Sequence, residues 1–171
     1  MHDEGGSGIR DRPQSSAPTQ LAVPSLSFVP SSLDSAEARP LIDALNAHAL
    51  SVYPRPEDHH WRFSHEEGLF VVAYVDGAPA GCGGVRDFGN GTAELKRMYV
   101  DPRFRTRGIG RALVEHLLDY ARSIGVRRAL LETGLLLGEA VRLYERCGFV
   151  EIERYGEYLD SPGSHCMGRD L

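Results

Sequence analysis

The sequence predicts an α+β chain, a mixed α/β sheet flanked by helices, on three observations. Two tight-turn dipeptides, Asp76-Gly77 and Asn90-Gly91, separate three apolar runs and predict a three-strand meander. A stretch of helical periodicity follows over 108–124. A short apolar strand at 129–132 is entered directly from that helix, so it is expected to lie parallel to the last meander strand.

Residues 1–24 are rich in Gly, Ser, Pro and Gln and can bury little apolar surface. They are expected to form a flexible tail ahead of one domain over 25–171. Residues 26–29 read as a first strand. Leu41, Ile42, Leu45 and Ala49 recur near helical spacing and predict a helix over 35–50. Tyr53-Pro54-Arg55-Pro56 stops it, because a residue before proline avoids helical angles. A short second helix is expected at 57–63. Residues 68–75 form a buried strand, 80–86 its hairpin partner and 93–100 the third strand. Gly81, Gly83 and Gly84 in the middle strand point to close backbone packing. Asn90-Gly91-Thr92 also spells a glycosylation sequon; with no secretion signal beside it, it is read as a turn.

In the helix over 108–124, Ile109, Ala112, Leu113, His116, Leu117, Tyr120 and Ile124 are expected to share one face, and Gly125 ends it. A further helix is expected over 139–147 with Gly148 as its C-cap. Two antiparallel strands, 149–153 and 165–171, complete the order β-α-α-β-β-β-α-β-α-β-β.

A net charge of −5 and a pI near 5.8 argue against nucleic acid as the main partner. No apolar run is long enough to suggest a membrane span. Cys82, Cys147 and Cys166 have neither CxxC spacing nor an even count, which argues against disulfides or zinc and suits a cytoplasmic location. His59, His60 and His65 lie close together, but His65-Glu66-Glu67-Gly68 is only half of an HExxH motif, so no metal is expected.

The strongest chemical signal lies between the third strand and the long helix. Lys96, Arg97, Arg103, Arg105, Arg107 and Arg111 crowd one segment of an acidic chain. A glycine-bearing loop that opens a helix leaves backbone N–H groups unpaired and pointing one way. The helix dipole adds partial positive charge there, making a phosphate site. A dinucleotide fingerprint fails because its third glycine position is Leu113, and a P-loop lacks its Gly-Lys-Ser/Thr. What remains is R-x-x-G-x-G, with Arg105, Gly108 and Gly110 as the fixed positions.

This segment, with ELKRMYV at 94–100, Asp101-Pro102 and the later AVRLYERCGF at 140–149, resembles the GCN5-related N-acetyltransferase (GNAT) superfamily. The resemblance covers roughly 26–171 in the expected element order. It implies the GNAT acyl-CoA N-acyltransferase fold, a mostly antiparallel sheet with a splayed parallel pair. It also implies acetyl-CoA as co-substrate, its pyrophosphate cradled by Arg105, Thr106, Arg107, Gly108, Ile109, Gly110 and Arg111. Side chains at Gly108 and Gly110 would keep the backbone from the phosphates. By the same resemblance the backbone of Met98 and Val100 pairs with the pantetheine arm, and the Met98 N–H polarises the thioester carbonyl. Tyr144, in Y-x-x-x-G-F, would protonate the leaving thiolate; packing on the sheet is the alternative.

Glu94, Lys96, Met98 and Val100 are expected to alternate onto one side of their strand. Glu94 matches a glutamate that serves as general base in histone-type members. The alternatives are a water chain, with Glu94 paired to Lys96 or Arg97. The acceptor region would include Tyr53, Arg55, His59, His60 and Arg86, with Arg86 and Arg97 able to hold a carboxylate. The expected reaction is direct attack by a small or amino-acid-like amine in a ternary complex. A protein lysine or N-terminal amine is the rival acceptor, and a non-catalytic acyl-CoA sensor or a structural partner domain the rival class. Homodimers are common in the family, and a homodimer is left open for this chain.

Overall fold

A computed structural model describes residues 25–53 and 68–171. In chain order they form β1 (Leu26–Pro30), α1 (Ala38–Val52), β2 (Gly68–Val75), β3 (Ala78–Gly89), β4 (Thr92–Val100), α2 (Ile109–Ser123), β5 (Arg128–Gly134), α3 (Gly138–Arg146), β6 (Val150–Glu151) and β7 (Ser164–Asp170). Short 3-10 turns occupy Pro102–Phe104 and Gly156–Tyr158. The tail at 1–24, the helix expected at 57–63, and Arg55, His59, His60 and His65 lie outside the described residues.

The strands form one seven-stranded sheet in the order β1-β2-β3-β4-β5-β7-β6. The meander β2-β3-β4 is antiparallel, and its turns place Asp76, Gly77, Asn90 and Gly91 at positive φ, as two-residue hairpin turns require. β5 is parallel to β4, as the direct helix-to-strand connection predicted.

Two apolar layers cover the sheet. On one face Val71, Val85, Ala93 and Leu95 pack against Leu113, Val114, Leu117, Leu118 and Ala121 of α2, with Tyr144 of α3 in the same cluster. Each fully buried leucine contributes roughly 1.5–3 kcal/mol. On the other face Phe70, Val72 and Cys82 pack against Ala38 and Leu41 of α1. α1 runs later than expected, over Ala38–Val52. The inward side of α2 also differs: Val114, Leu118 and Ala121 are buried, whereas Ile124 is 51% exposed because it lies past the last turn, at the C-cap. His116 turns toward β1 and stacks on Phe28 at 4.6 Å. β6 is shorter than expected because only Val150 and Glu151 pair, with Gly168 and Met167 of β7.

The parallel pair parts early. Residues 92–95 of β4 pair with 128–131 of β5 and no further. Beyond that, β4 stays with β3 to Val100, while β5 stays with β7 to Gly134. The sheet therefore opens a gap after Leu95, at the end of β4 that leads into the basic loop.

Candidate active site

A β-bulge sits at the start of this gap. Cys82 pairs with Tyr99 and Gly84 with Lys96, so Gly83 alone faces both Arg97 and Met98. Arg97 takes a positive φ of 60° to accommodate the extra residue. A Cβ at Gly83 would lie 2.5 Å from the Met98 Sδ, so the glycine makes room for Met98 beneath α2. The bulge breaks the expected alternation. Glu94, Lys96 and Arg97 face the α1 side, where Arg97 donates to the Asn46 side chain of α1 at 3.0 Å. Met98 and Val100 pack on the α2 side.

Backbone groups at the gap follow from one hydrogen bond. The Asp101 N–H donates to the Ala80 carbonyl across β3 at 2.9 Å. Amides alternate along a strand, so those of Val100 and Met98 turn away from β3, toward the gap.

Opposite the gap stands the N-terminus of α2. No side chain caps it, and no acidic residue lies in its first turn. Among the described residues, no hydrogen bond engages the N–H of Gly108, Ile109, Gly110 or Arg111. Gly108 caps α2 at φ 79°, a left-handed conformation that glycine adopts without strain. Gly110 also packs tightly within the protein: a Cβ there would lie 3.1 Å from Leu143 of α3. Ile109 is buried among Ala73, Val75, Ala80, Val100 and Phe104, so only its backbone is available to a ligand. Arg103 and Arg107 lie 5.6 Å from the Phe104 ring centroid, and Arg105 donates to the Val100 carbonyl at 3.1 Å. Thr106, Arg107 and Arg111 are exposed.

Tyr144 is buried in the α2-side core, edge-on to Phe149 at 6.0 Å. Burial, then Cys147 and Glu132, push its phenol well above the ordinary tyrosine value. It therefore holds its proton at neutral pH, which a proton donor requires.

Glu94 is 0% exposed. Its Oε2 accepts from Arg86 through Nε at 2.7 Å and Nη2 at 2.6 Å. Its Oε1 accepts from the Tyr155 hydroxyl at 2.9 Å and the Tyr158 hydroxyl at 2.7 Å. Of the two partners expected for it, Lys96 does form an ion pair with it, at 3.8 Å, whereas Arg97 donates to Asn46. Burial works against the Arg86 charge, but Glu94 outweighs it and holds the guanidinium above its ordinary pKa. Arg86, expected to hold an acceptor carboxylate, is thus bonded to the protein's own Glu94 and Glu157. Tyr53 closes the end of α1 against Gly134, its hydroxyl accepting from the Leu136 N–H at 2.7 Å. Sequence reasoning missed Asn46, Tyr155, Glu157 and Tyr158. The only trace they leave is an aromatic pair, Tyr155 and Tyr158, in an otherwise polar loop.

All three cysteines are free and buried. Burial raises the Cys82 thiol from 9.0 to about 12, with Arg97 opposing, and burial moves the Tyr155 and Tyr158 phenols upward as well. These groups are neutral when protonated. Below pH 9 both folded and unfolded chains keep the Cys82 proton, and the stabilisation is fully present. Above it the unfolded chain releases the proton while the fold retains it. Stability is expected to fall as pH rises from 9 toward 12. Urea midpoints near neutrality and at about pH 10.5 check this; equal midpoints contradict it.

The parted sheet beside a bulged strand thus leaves an opening that faces an uncapped helix N-terminus and a basic loop. The acetyltransferase (GNAT) family model matches residues 36–149, and the chain belongs to that family. An IAA acetyltransferase of Azospirillum brasilense is 34% identical over 135 residues, covering 77% of this chain and 88% of that protein. A Klebsiella pneumoniae structure assigned to the acyl-CoA N-acyltransferases superposes with a TM-score of 0.72 at 27% identity, covering 85% and 97% of the two chains. A Bacillus subtilis acetyltransferase solved in complex with CoA has the same fold, with a TM-score of 0.64 at 17% identity over 86% and 99% of the chains. By class the protein is an acyl-CoA-dependent N-acetyltransferase.

Proposed function

We propose that the protein transfers an acetyl group from acetyl-CoA to the primary amine of a small or amino-acid-like acceptor, by direct attack in a ternary complex. The observation that carries this reading is the gap after Leu95, with the Met98 and Val100 amides on one side and the open N-terminus of α2 on the other. The relative from Azospirillum brasilense, named for IAA, supports a small-molecule acceptor.

Acetyl-CoA supplies the activated acetyl group. The amides of Gly108, Ile109, Gly110 and Arg111, with the side chains of Arg105, Thr106, Arg107 and Arg111, hold its diphosphate. The Val100 backbone aligns the pantetheine arm. The Met98 N–H stabilises the oxygen that gains charge as the amine nitrogen attacks the thioester carbon. As the carbon–sulfur bond breaks, the Tyr144 hydroxyl gives its proton to the thiolate and regains one from solvent. The proton lost by the amine leaves through water, because Glu94 is enclosed. No cysteine carries the acetyl group in this scheme: all three are buried, and burial keeps their thiols protonated.

Thiol release from acetyl-CoA across an amine panel tests the proposal. Tyr144→Phe is expected to lower kcat by about 100-fold while the KM for acetyl-CoA stays within about twofold. An unchanged kcat removes Tyr144 from the chemistry. No turnover of any amine by protein that binds coenzyme A contradicts the transferase reading.

A further inference from the structure

The turn at 155–158 sits away from its own strands. It links β6 to β7, which lie beyond β5, yet it reaches back across β5 to touch β3 and β4. Tyr155 and Tyr158 both donate to Glu94. The Lys96 ammonium donates to the Tyr158 hydroxyl and to the Glu157 carboxylate, both at 2.9 Å. The Tyr155 ring meets Phe88 of β3 edge-on at 5.4 Å, and a Cβ at Gly156 would come within 3.0 Å of that phenyl ring. Glu94 and Lys96 flank Leu95, the last β4 residue paired with β5. The turn is therefore fastened where the gap begins, on the α1 side of the sheet.

Both Glu94 oxygens are engaged, each by two donors, and the carboxylate is wholly buried. The geometry points to Glu94 as a positioning residue: through the Tyr155 and Tyr158 hydroxyls it pins the turn at 155–158 across the mouth of the gap, where the turn forms a fixed wall of the acceptor pocket. This rests on the acetyltransferase reading above. Glu94 acts on the reaction through where it holds the turn, and it takes no proton from the amine. Lys96 adds a second fastening through Tyr158 and Glu157, and Glu157, at 30% side-chain exposure, is the member of the group nearest to solvent.

The Tyr155→Phe/Tyr158→Phe double variant keeps both rings and removes both hydroxyls. Two readouts apply, with Glu94→Gln examined beside it. In hydrogen–deuterium exchange, the segment 153–162 is expected to exchange about tenfold faster than in wild type, with β3 and β4 unchanged. In thiol release with the most reactive of spermidine, L-lysine, L-phenylalanine and tyramine, the amine KM is expected to rise about fivefold or more while kcat stays within about twofold. The acidic limb of the pH–kcat profile keeps its position in both variants. Unchanged exchange in the double variant overturns the pin. Loss of the acidic limb in Glu94→Gln overturns it in favour of a general base. Where wild type turns over none of the four amines, the transferase proposal is what fails, and the exchange result alone decides the pin.

Discussion

Glu94→Ala is expected to destabilise the protein by about 3–5 kcal/mol. The loss does not come from the removed carboxylate alone. Arg86, with a side chain 14% exposed, would lose its nearer carboxylate and keep Glu157 at 3.4 Å, while Lys96 would keep Glu157 at 2.9 Å. Two phenols would lose their acceptor together. An uncompensated buried charge is expensive, whereas replacing a whole buried pair by apolar groups is often near neutral. Glu94→Ala/Arg86→Met should therefore recover part of the loss, and the shortfall from additivity measures the coupling. Urea unfolding of the single and double variants checks both statements. A single-variant loss below about 1 kcal/mol would mean that the ion network contributes little.

Gly110→Val is expected to weaken coenzyme A binding by about tenfold or more, which corresponds to at least about 1.4 kcal/mol. A Cβ at this position would lie 3.1 Å from the Leu143 Cδ2 and 3.7 Å from the Val100 Cγ2. The further methyls of valine must displace α3, β4 or the first turn of α2. Overpacking of this kind costs about 1–3 kcal/mol, and here the part that moves carries the phosphate-facing amides. Calorimetric titration with coenzyme A, alongside circular dichroism to show retained fold, reads the effect. Wild-type affinity in a well-folded variant would show that the amides of the first turn do not set the grip.

The parts of the molecule legible in the sequence are those decided by neighbours in the chain. Asp76-Gly77 and Asn90-Gly91 fix their turns locally, and the apolar repeat from Ile109 fixes α2. The basic loop is likewise contiguous, so its place before a helix could be read directly. The bulge could not be read, because a β-run carries no local mark of one extra residue; strict alternation placed Met98 on the same side as Glu94, and Arg97 at φ 60° shows why that failed. The Glu94 site was half legible. Its type and strand were readable, but its phenolic partners lie 61 and 64 residues away, on the connection between β6 and β7 at the far edge of the sheet. Gly110 was legible as a required glycine, but its contact with Leu143 was not, since that neighbour arrives from another helix.

The grip of the α2 N-terminus on a diphosphate is tested most directly by titrating the wild-type protein with coenzyme A at low and high salt, roughly 0.05 and 0.5 M. The prediction is one coenzyme A per chain, with affinity that falls as salt screens Arg105, Arg107 and Arg111. Absence of binding, or an affinity that salt leaves untouched, would contradict it.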